Sequence, residues 1–165
     1  MAENLLHMLN IEAAFVPVDM QTAANNGDWV NLSLYDKCLC VLFKAAGTAG
    51  DNPIFTLKQA SDAAGTGAKA LNFTAAYQKI ATDVTTVAQF TRATQAAAST
   101  YTPTSAATQA IIAVEVRASD LDMANGFQFV QLSIPDTGVN AQLGCGFYVL
   151  FGSRYQQQIM PDAKV

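Results

Sequence analysis

The sequence predicts an all-β protein: an antiparallel β-sandwich of jelly-roll-like type, with an N-terminal arm and one long central loop. Three observations support this prediction. Apolar and polar residues alternate with a period near two over most of the chain, and almost no segment keeps a 3.6-residue period. Turn sequences such as NNGD (25–28), GTAGDNP (47–53) and PDTG (135–138) separate the alternating segments. Finally, 165 residues suit one domain with a single core.

Nine strands follow from the alternation, and many short strands divided by turns are typical of an antiparallel sandwich, of which the jelly roll is one version. They span 11–20, 29–35, 37–45, 54–60, 70–73, 84–91, 111–118, 127–134 and 145–151. In the segment IIAVEVRA, one face carries Ile112, Val114 and Val116, whereas the other carries Glu115 and Arg117. This strand is therefore expected to have one buried face and one face in water.

We expect residues 1–165 to form a single domain. Two segments of this domain fall outside the strand pattern, and we expect both to contact neighbouring subunits. The N-terminal arm, residues 1–10, contains the apolar residues Leu5, Leu6, Met8 and Leu9, which so short a segment cannot shelter by itself. The second segment, residues 91–110, is rich in Ala, Thr, Ser and Gln and contains Tyr101 and Pro103. A connection of this length is usually functional or disordered, so we interpret it as a long loop.

The composition limits the classes of partner. Only 13% of the residues are charged and 51% are hydrophobic, whereas soluble domains are usually about a quarter charged. A surface so poor in charge is expected to be covered by copies of the chain or by other proteins. The net charge of −4 and the scattered basic residues argue against nucleic acid as a ligand.

The sequence indicates no membrane segment, no cofactor and no metal. Its strongly apolar runs, such as CLCVLF, are about six residues long, against the roughly 20 that a membrane-spanning helix needs. The N-terminus lacks the positive charge of a secretory signal. Cys38, Cys40 and Cys145, with His7, could supply four zinc ligands, but the CLC spacing is not that of a zinc knuckle. We therefore favour reduced, buried thiols, as expected in a cytoplasm.

Catalytic patterns are weak, and we expect no enzymatic activity and no small-molecule substrate. The single histidine, His7, lies near a chain end. The segment GTGAKA (65–70) lacks the glycine spacing of a phosphate-binding loop and the Ser or Thr after its lysine. Asp120 and Asp122 in SDLDM could offer oxygens to calcium, but they lack the pattern of a calcium-binding loop and are interpreted as residues of a connection between strands.

Three segments resemble parts of small structural proteins from the virions of tailed bacteriophages. They are DWVNLSLYDKCLCVLF (28–43), LKQASDAAGTGAKAL (57–71) and the C-terminal region 114–157, with its DLD, NGF and RY sequences. The resemblance implies a capsid cement or decoration protein on the outside of the head, made in the cytoplasm of a bacterial host. Its implied partners are the major capsid protein and copies of itself, as a homodimer or homotrimer.

Two other structural roles remain open from the sequence. A tail-tube, neck or connector subunit would also be all-β and poor in charge, but its contacts would form rings. A carbohydrate-binding module of a phage fibre would expose aromatic residues in a shallow groove, for which Trp29, Tyr77, Tyr101 and Tyr155 are candidates.

Overall fold

The computed structural model describes residues 5, 8–154 and 163–164. Strands account for 52% of the structure and helical residues for 7%. The strands form two antiparallel sheets arranged as a sandwich, so the predicted all-β class and the antiparallel sandwich are confirmed. The jelly-roll form of the sandwich stays a prediction.

Twelve strands are present among the described residues. They are β1 (Leu9–Asp19), β2 (Asn25–Asn26), β3 (Val30–Asn31), β4 (Tyr35–Lys44), β5 (Phe55–Ala60), β6 (Lys69–Ala70), β7 (Phe73–Ala81), β8 (Thr91–Ala98), β9 (Thr100–Tyr101), β10 (Gln109–Arg117), β11 (Phe129–Ile134) and β12 (Leu143–Ser153). Short 3-10 turns cover Val84–Thr86, Ala118–Asp120 and Met123–Asn125.

The first sheet has the strand order β1-β12-β4-β10-β7-β8, and the second has the order β2-β11-β5-β6. In the second sheet, β3 also pairs with β11 and β9 pairs with β5. Strands distant in the sequence lie side by side in the first sheet, because β1 pairs with β12 and β12 pairs with β4. The longest strands, β1, β4 and β12, therefore form one half of this sheet.

The core lies between the sheets and is filled by one cluster of buried residues. The first sheet contributes Cys38, Cys40, Leu42, Ile112, Val114, Val116, Tyr148 and Leu150, and the second contributes Phe55, Leu57, Val130, Leu132 and Ile134. On β10 the inward residues are those that the alternation predicts, and Glu115 and Arg117 are exposed. The prediction of a buried face is thus confirmed for this strand, whereas the opposite face is wet only at its Glu115 and Arg117 end, because Ala113 is 4% exposed.

The prediction of a long loop over residues 91–110 is wrong. Residues Thr91–Ala98 form β8, Thr100–Tyr101 form β9, and β10 begins at Gln109. β8 lies at an edge of the first sheet and most of its residues are exposed. A strand that is exposed on both faces needs no apolar alternation, so its Ala- and Thr-rich sequence carries no period-two signal.

Other boundaries also differ from the predictions, and the strand expected at 29–35 is reduced to β3 and the first residue of β4. The strand expected at 84–91 is absent up to residue 90, and the segment begins instead with a 3-10 turn that Asp83 caps by accepting a hydrogen bond from the Thr85 backbone N–H. The strand expected at 70–73 is divided between the end of β6 at Ala70 and the start of β7 at Phe73, and β7 continues to Ala81 through small residues that weaken the alternation. Within the predicted arm, residues 9 and 10 belong to β1 and pair with β12, while residues 1–4, 6 and 7 lie outside the described residues.

A buried tyrosine hydroxyl joins the two sheets. Between β2 and β3 the chain leaves the ladder, so Gln131 and Leu132 of β11 have no strand residue opposite them on that side. The Tyr148 hydroxyl, from β12 of the other sheet, accepts a hydrogen bond from the Leu132 backbone N–H at 2.8 Å. It also donates to the Asp28 carbonyl at 2.9 Å. Burial raises the pKa of Tyr148 well above its ordinary value, which keeps this donor protonated.

The same gap in the ladder requires a glycine. The Gly27 N–H donates to the Leu132 carbonyl, and the side-chain amide of Gln131 donates to the Gly27 carbonyl at 2.7 Å. A Cβ atom on Gly27 would lie 2.7 Å from the Leu132 carbonyl oxygen and 2.8 Å from the Tyr148 hydroxyl. The close approach that completes the ladder therefore excludes any side chain at position 27.

A buried lysine holds the connection between β9 and β10. Lys44, at the end of β4, is 1% exposed, and its ammonium donates to the carbonyls of Ser105, Ala106 and Thr108. Burial lowers the pKa of Lys44 to about 8, whereas the three carbonyl acceptors favour the protonated form. The Asn52 side chain accepts hydrogen bonds from the Ser105 and Ala106 N–H groups. This connection is thus tied to its own domain.

We expect Tyr148→Phe to lower the free energy of unfolding by about 1–3 kcal/mol, because it leaves the Leu132 N–H and the Asp28 carbonyl buried without this partner. The measurement is urea unfolding followed by tryptophan fluorescence and circular dichroism. Tyr77→Phe is the matched control, since Tyr77 is 41% exposed, and it should change stability by less than about 0.5 kcal/mol. Equal losses in both variants would contradict the bridging role of Tyr148.

Stability should also fall at alkaline pH through Cys38. Burial, together with the neighbouring Cys40, raises the pKa of the Cys38 thiol well above its ordinary value. Above about pH 8.5 the thiol ionises in the unfolded chain but not in the folded protein, so its stabilising contribution is complete below that pH and is lost as pH rises. In urea titrations under reducing conditions, Cys38→Ala should show a shallower loss of stability between about pH 8 and 10 than the wild type. Parallel pH profiles would refute this explanation.

Candidate interaction surface

The face of the first sheet that points away from the core is apolar over most of its area; we call it the outer face. Because side chains alternate across a strand and cross-strand partners share a face, the residues opposite the buried set can be read from the register. One row runs Ala13, Phe147, Val41, Ala113 and Tyr77 across five strands. Neighbouring rows add Ile11, Val149, Leu39, Cys145, Phe43, Ile111, Leu9, Phe151 and Leu143.

Several large side chains of the outer face are exposed. Ile11 is 57% exposed, Leu143 55%, Phe151 46% and Phe43 44%. Val41 lies on the same face but is only 4% exposed, because its neighbours in the row shield it. Single exposed apolar residues are ordinary, but a contiguous set on one sheet is a candidate interaction surface.

Charged residues lie at the margins of the outer face. At one end, Glu115 is 3.5 Å from the Lys37 ammonium and 3.2 Å from the Arg117 guanidinium. These pairs are exposed, and such pairs contribute roughly 0–1 kcal/mol. Lys79 and Arg92 lie towards the β7–β8 edge. The half of the face formed by β1, β12 and β4 is therefore the more apolar half.

The outward side of the second sheet has the opposite character. Its central rows pair Ser133 with Thr56 and Gln131 with Lys58. The Gln131 amide donates to the Gly27 carbonyl, and the Ser133 hydroxyl bonds with the side chain of Asn26 at 2.7 Å. These polar groups find partners within the chain, whereas apolar side chains on the outer face can be removed from water only by another surface.

The sequences of β4 and β12 indicate this surface through continuous apolar runs rather than through alternation. CLCVLF in β4 and FYVLF in β12 are continuous apolar runs, so both faces of each strand are apolar. In an antiparallel sheet a strand with one solvated face alternates, and a continuous run is typical of a strand covered on both faces. Phe43, Val149 and Phe151 could have been identified from this signal.

The predicted contact residues of the N-terminal arm lie in different surroundings. Leu5 is 64% exposed and Met8 is 38% exposed. Leu9 is the first residue of β1 and pairs with Phe151, which places it at the margin of the outer face. Leu6 lies outside the described residues.

Tyr101 and Pro103, which are predicted to contact neighbouring subunits, both pack within their own domain, and their contact with a neighbour stays a prediction. Tyr101 lies against the core, and its hydroxyl donates to the Gln78 side-chain oxygen at 2.6 Å. Partial burial raises the pKa of Tyr101. Pro103 is buried.

The cysteines lie on opposite sides of the first sheet. The sulfur atoms of Cys38 and Cys40 face the core, 3.8 Å apart, whereas Cys145 pairs with Phe43 on the outer face. The three thiols therefore cannot bind one metal ion together. No group of three or more His, Cys, Asp or Glu residues suited to a metal occurs in the described part of the chain. His7, the fourth predicted ligand, lies outside it.

The GTGAKA and SDLDM segments, which were considered above as a phosphate-binding loop and a calcium site, lie together in one cluster of turns. The Asp62 carboxylate accepts hydrogen bonds from the backbone N–H groups of Ala64 and Thr66. A hydrogen bond from the Thr66 side chain, together with these backbone bonds, lowers the pKa of Asp62. The Lys69 ammonium lies 3.8 Å from the centre of the Phe127 ring and forms an ion pair with Asp122. The GTGAKA and SDLDM segments thus bind each other.

A cleft of about 450 Å³ lies between the start of β7 and the end of β10. Its acidic residues are Glu115 and Asp120. Glu115 pairs with the two nearby cations, and Asp120 accepts a hydrogen bond from the Arg117 N–H. Both carboxylates therefore have local structural partners.

The aromatic residues considered for carbohydrate binding are not brought together. Trp29 lies beside Gly65 near the second sheet, Tyr77 lies on the outer face, and Tyr101 packs on the core. Tyr155 lies outside the described residues.

Comparisons of the chain with protein-family models, with curated proteins and with solved structures found no match. Among the residues that the structure describes, no helix has the length and apolar character needed to span a membrane.

Charged substitutions on the outer face should prevent the binding of apolar molecules to this face without changing the fold. We expect Ile11→Lys, Phe43→Lys and Phe151→Lys, combined in one variant, to abolish binding of a fluorescent apolar dye to the folded protein. The melting temperature should fall by only a few degrees, because these side chains are already half in water. Val139→Lys is the matched control, since Val139 is 83% exposed in a loop. Undiminished dye binding in the triple variant would show that the outer face is not the apolar binding surface.

Proposed function

We propose that the chain is a non-enzymatic structural protein of a tailed-phage virion, which lies on the outside of the capsid and cements neighbouring major capsid protein subunits. The observation that carries the proposal is the contiguous apolar outer face of the first sheet, on a chain with only 13% charged residues. The resemblance of three segments to phage virion proteins supports the same class.

The architecture suits a role that depends on contact area. The core strands are fixed by long ladders, by the Tyr148 bridge between the sheets and by the Lys44 contacts to a surface connection. A body held in this way presents its outer face without an ordering cost on binding. Cement proteins act in many copies, so modest contacts at each site add up through avidity.

The proposed partners are the major capsid protein and copies of the chain itself, and the proposed location is the capsid exterior after synthesis in a bacterial cytoplasm. We propose no nucleic acid, membrane or small-molecule partner. An apolar contact is insensitive to ionic strength, whereas exposed ion pairs are screened by salt. Resistance to salt is therefore the property that separates a contact through the outer face from one through the charged margins.

The test is the retention of the protein on capsids. Capsids assembled without the protein are mixed with the wild type, with the triple outer-face variant or with Val139→Lys, and bound protein is measured after sedimentation. Each large side chain that becomes fully covered contributes about 1.5–3 kcal/mol, so the triple variant should bind at least a hundredfold more weakly. The wild type and the control should stay bound in molar salt.

Release of the wild type by moderate salt, or full retention of the triple variant, would refute a contact through the outer face. Immunogold labelling of virions tests the location independently. Label over the head supports the cement role, whereas label confined to the neck or tail would replace it with the tail-tube, neck or connector role.

A further inference from the structure

The edge strand β8 is an open site for backbone pairing. It spans Thr91–Ala98 and has the sequence TRATQAAA. Among the described residues, β7 is the one strand that pairs with it. The backbone N–H and C=O groups on its other side therefore point away from the sheet, where they can pair with a further strand.

The other edge strands of the two sheets have features that oppose pairing with a further strand. β1, at the far edge of the first sheet, has two register irregularities and contains Pro17. The ends of the second sheet are formed by β2, β3, β6 and β9, each only two residues long. Natural proteins protect edges by bulges, proline, charge and short strands. β8 is long and contains one charge and no proline.

Side-chain hydrogen bonds also hold β8 in place on its own domain. The side-chain amide of Gln95 donates to the carbonyls of Phe73 at 3.2 Å and Thr100 at 3.0 Å. These bonds fix the point where the chain leaves the first sheet for β9. The Thr91 hydroxyl donates to the Gln78 carbonyl of β7 at the other end. Both ends of the strand are therefore anchored to the domain, which lowers the ordering cost of adding a partner.

We propose that β8 pairs antiparallel with β8 of a second copy across a two-fold axis, joining the first sheets of two subunits into one continuous sheet. The inference rests on the proposed structural role, for which it names the surface that joins two copies. The closed two-fold pairing of identical edges gives a dimer.

The side chains of β8 suit a second copy of the same strand. With the axis at Gln95, Arg92 of each copy lies opposite Ala98 of the other, and Thr94 lies opposite Ala96. The two Arg92 residues are then six residues apart along the strands, or roughly 20 Å, which exceeds the Debye length of about 8 Å at physiological salt. The remaining side chains are Ala, Thr and Gln, which are small or neutral and place no like charges opposite each other.

The geometry has a consequence for the outer face. A two-fold axis between antiparallel strands is perpendicular to the sheet, so the same face of both subunits points to the same side. The two apolar outer faces would lie in one surface, with the β8 pair at its centre. A capsid partner would then contact two copies at once, which strengthens binding through avidity.

The test uses the isolated full chain and measures mass by sedimentation equilibrium over a hundredfold range of concentration. The wild type should reach twice its subunit mass of 17.5 kDa. Thr94→Lys with Ala96→Lys places two new cations per copy at the edge, where they repel those of the other copy. Both side chains are exposed, so the variant should melt near the wild-type temperature but dimerise at least tenfold more weakly. The control is Ala64→Lys with Ala124→Lys, at exposed positions away from β8, which should dimerise as the wild type does.

Hydrogen exchange of the wild type gives a second readout that needs no variant. Amides of β8 should become protected as concentration rises, while those of the exposed loop at Val139 should not. A wild type that stays monomeric throughout, a β8 lysine variant that dimerises as well as the control, or β8 amides that exchange equally fast in monomer and dimer would overturn the proposal. Because no capsid is present, these results are independent of the retention assay that tests the proposed function.

Discussion

The hydroxyl of Tyr148 is the interaction on which the relation between the two sheets depends. Apolar contacts across the core are non-directional, and alone they would allow the sheets to slide by small distances. The hydroxyl accepts from Leu132 and donates to Asp28, so it fixes β12 of one sheet against the interrupted edge of the other. Gly27 supplies the space for this contact. The position of the core strands, and hence the shape of the outer face, follows from this buried pair of hydrogen bonds.

The two sheets meet their surroundings by different chemistry. On the second sheet, Gln131 and Ser133 bond to groups within the chain, and its outward side therefore needs no partner. On the first sheet, β4 and β12 have apolar side chains on both faces, of which only one can be buried in the core. The difference explains how a chain so poor in charge can fold as a single sandwich and still expose one apolar face.

Sequence reasoning identified the fold class and the inward residues of β10, because a half-buried strand imposes a period of two on its side chains. It did not identify β8, since an edge strand that is exposed on both faces imposes no such period. It did not show that Tyr101 and Pro103 pack within their own domain, because nothing local reveals that Lys44, some 60 residues earlier, binds the connection that follows them. The outer face was missed for a related reason: it arises from residues of β1, β4 and β12, which only the register of the sheet brings together.

The pairing of β1 with β12 also affects how the protein can fold during synthesis. Asp19 and Leu143 are partners, and 124 residues separate them. At about 5–20 residues per second, a ribosome takes roughly 6–25 s to make that stretch, and until then β1 has no partner strand from its own chain. During this interval its AAFVPV segment is exposed to other nascent chains. Pro17 has no backbone N–H to donate, so it makes this unpaired segment a poorer template for aggregation than an uninterrupted apolar strand would be.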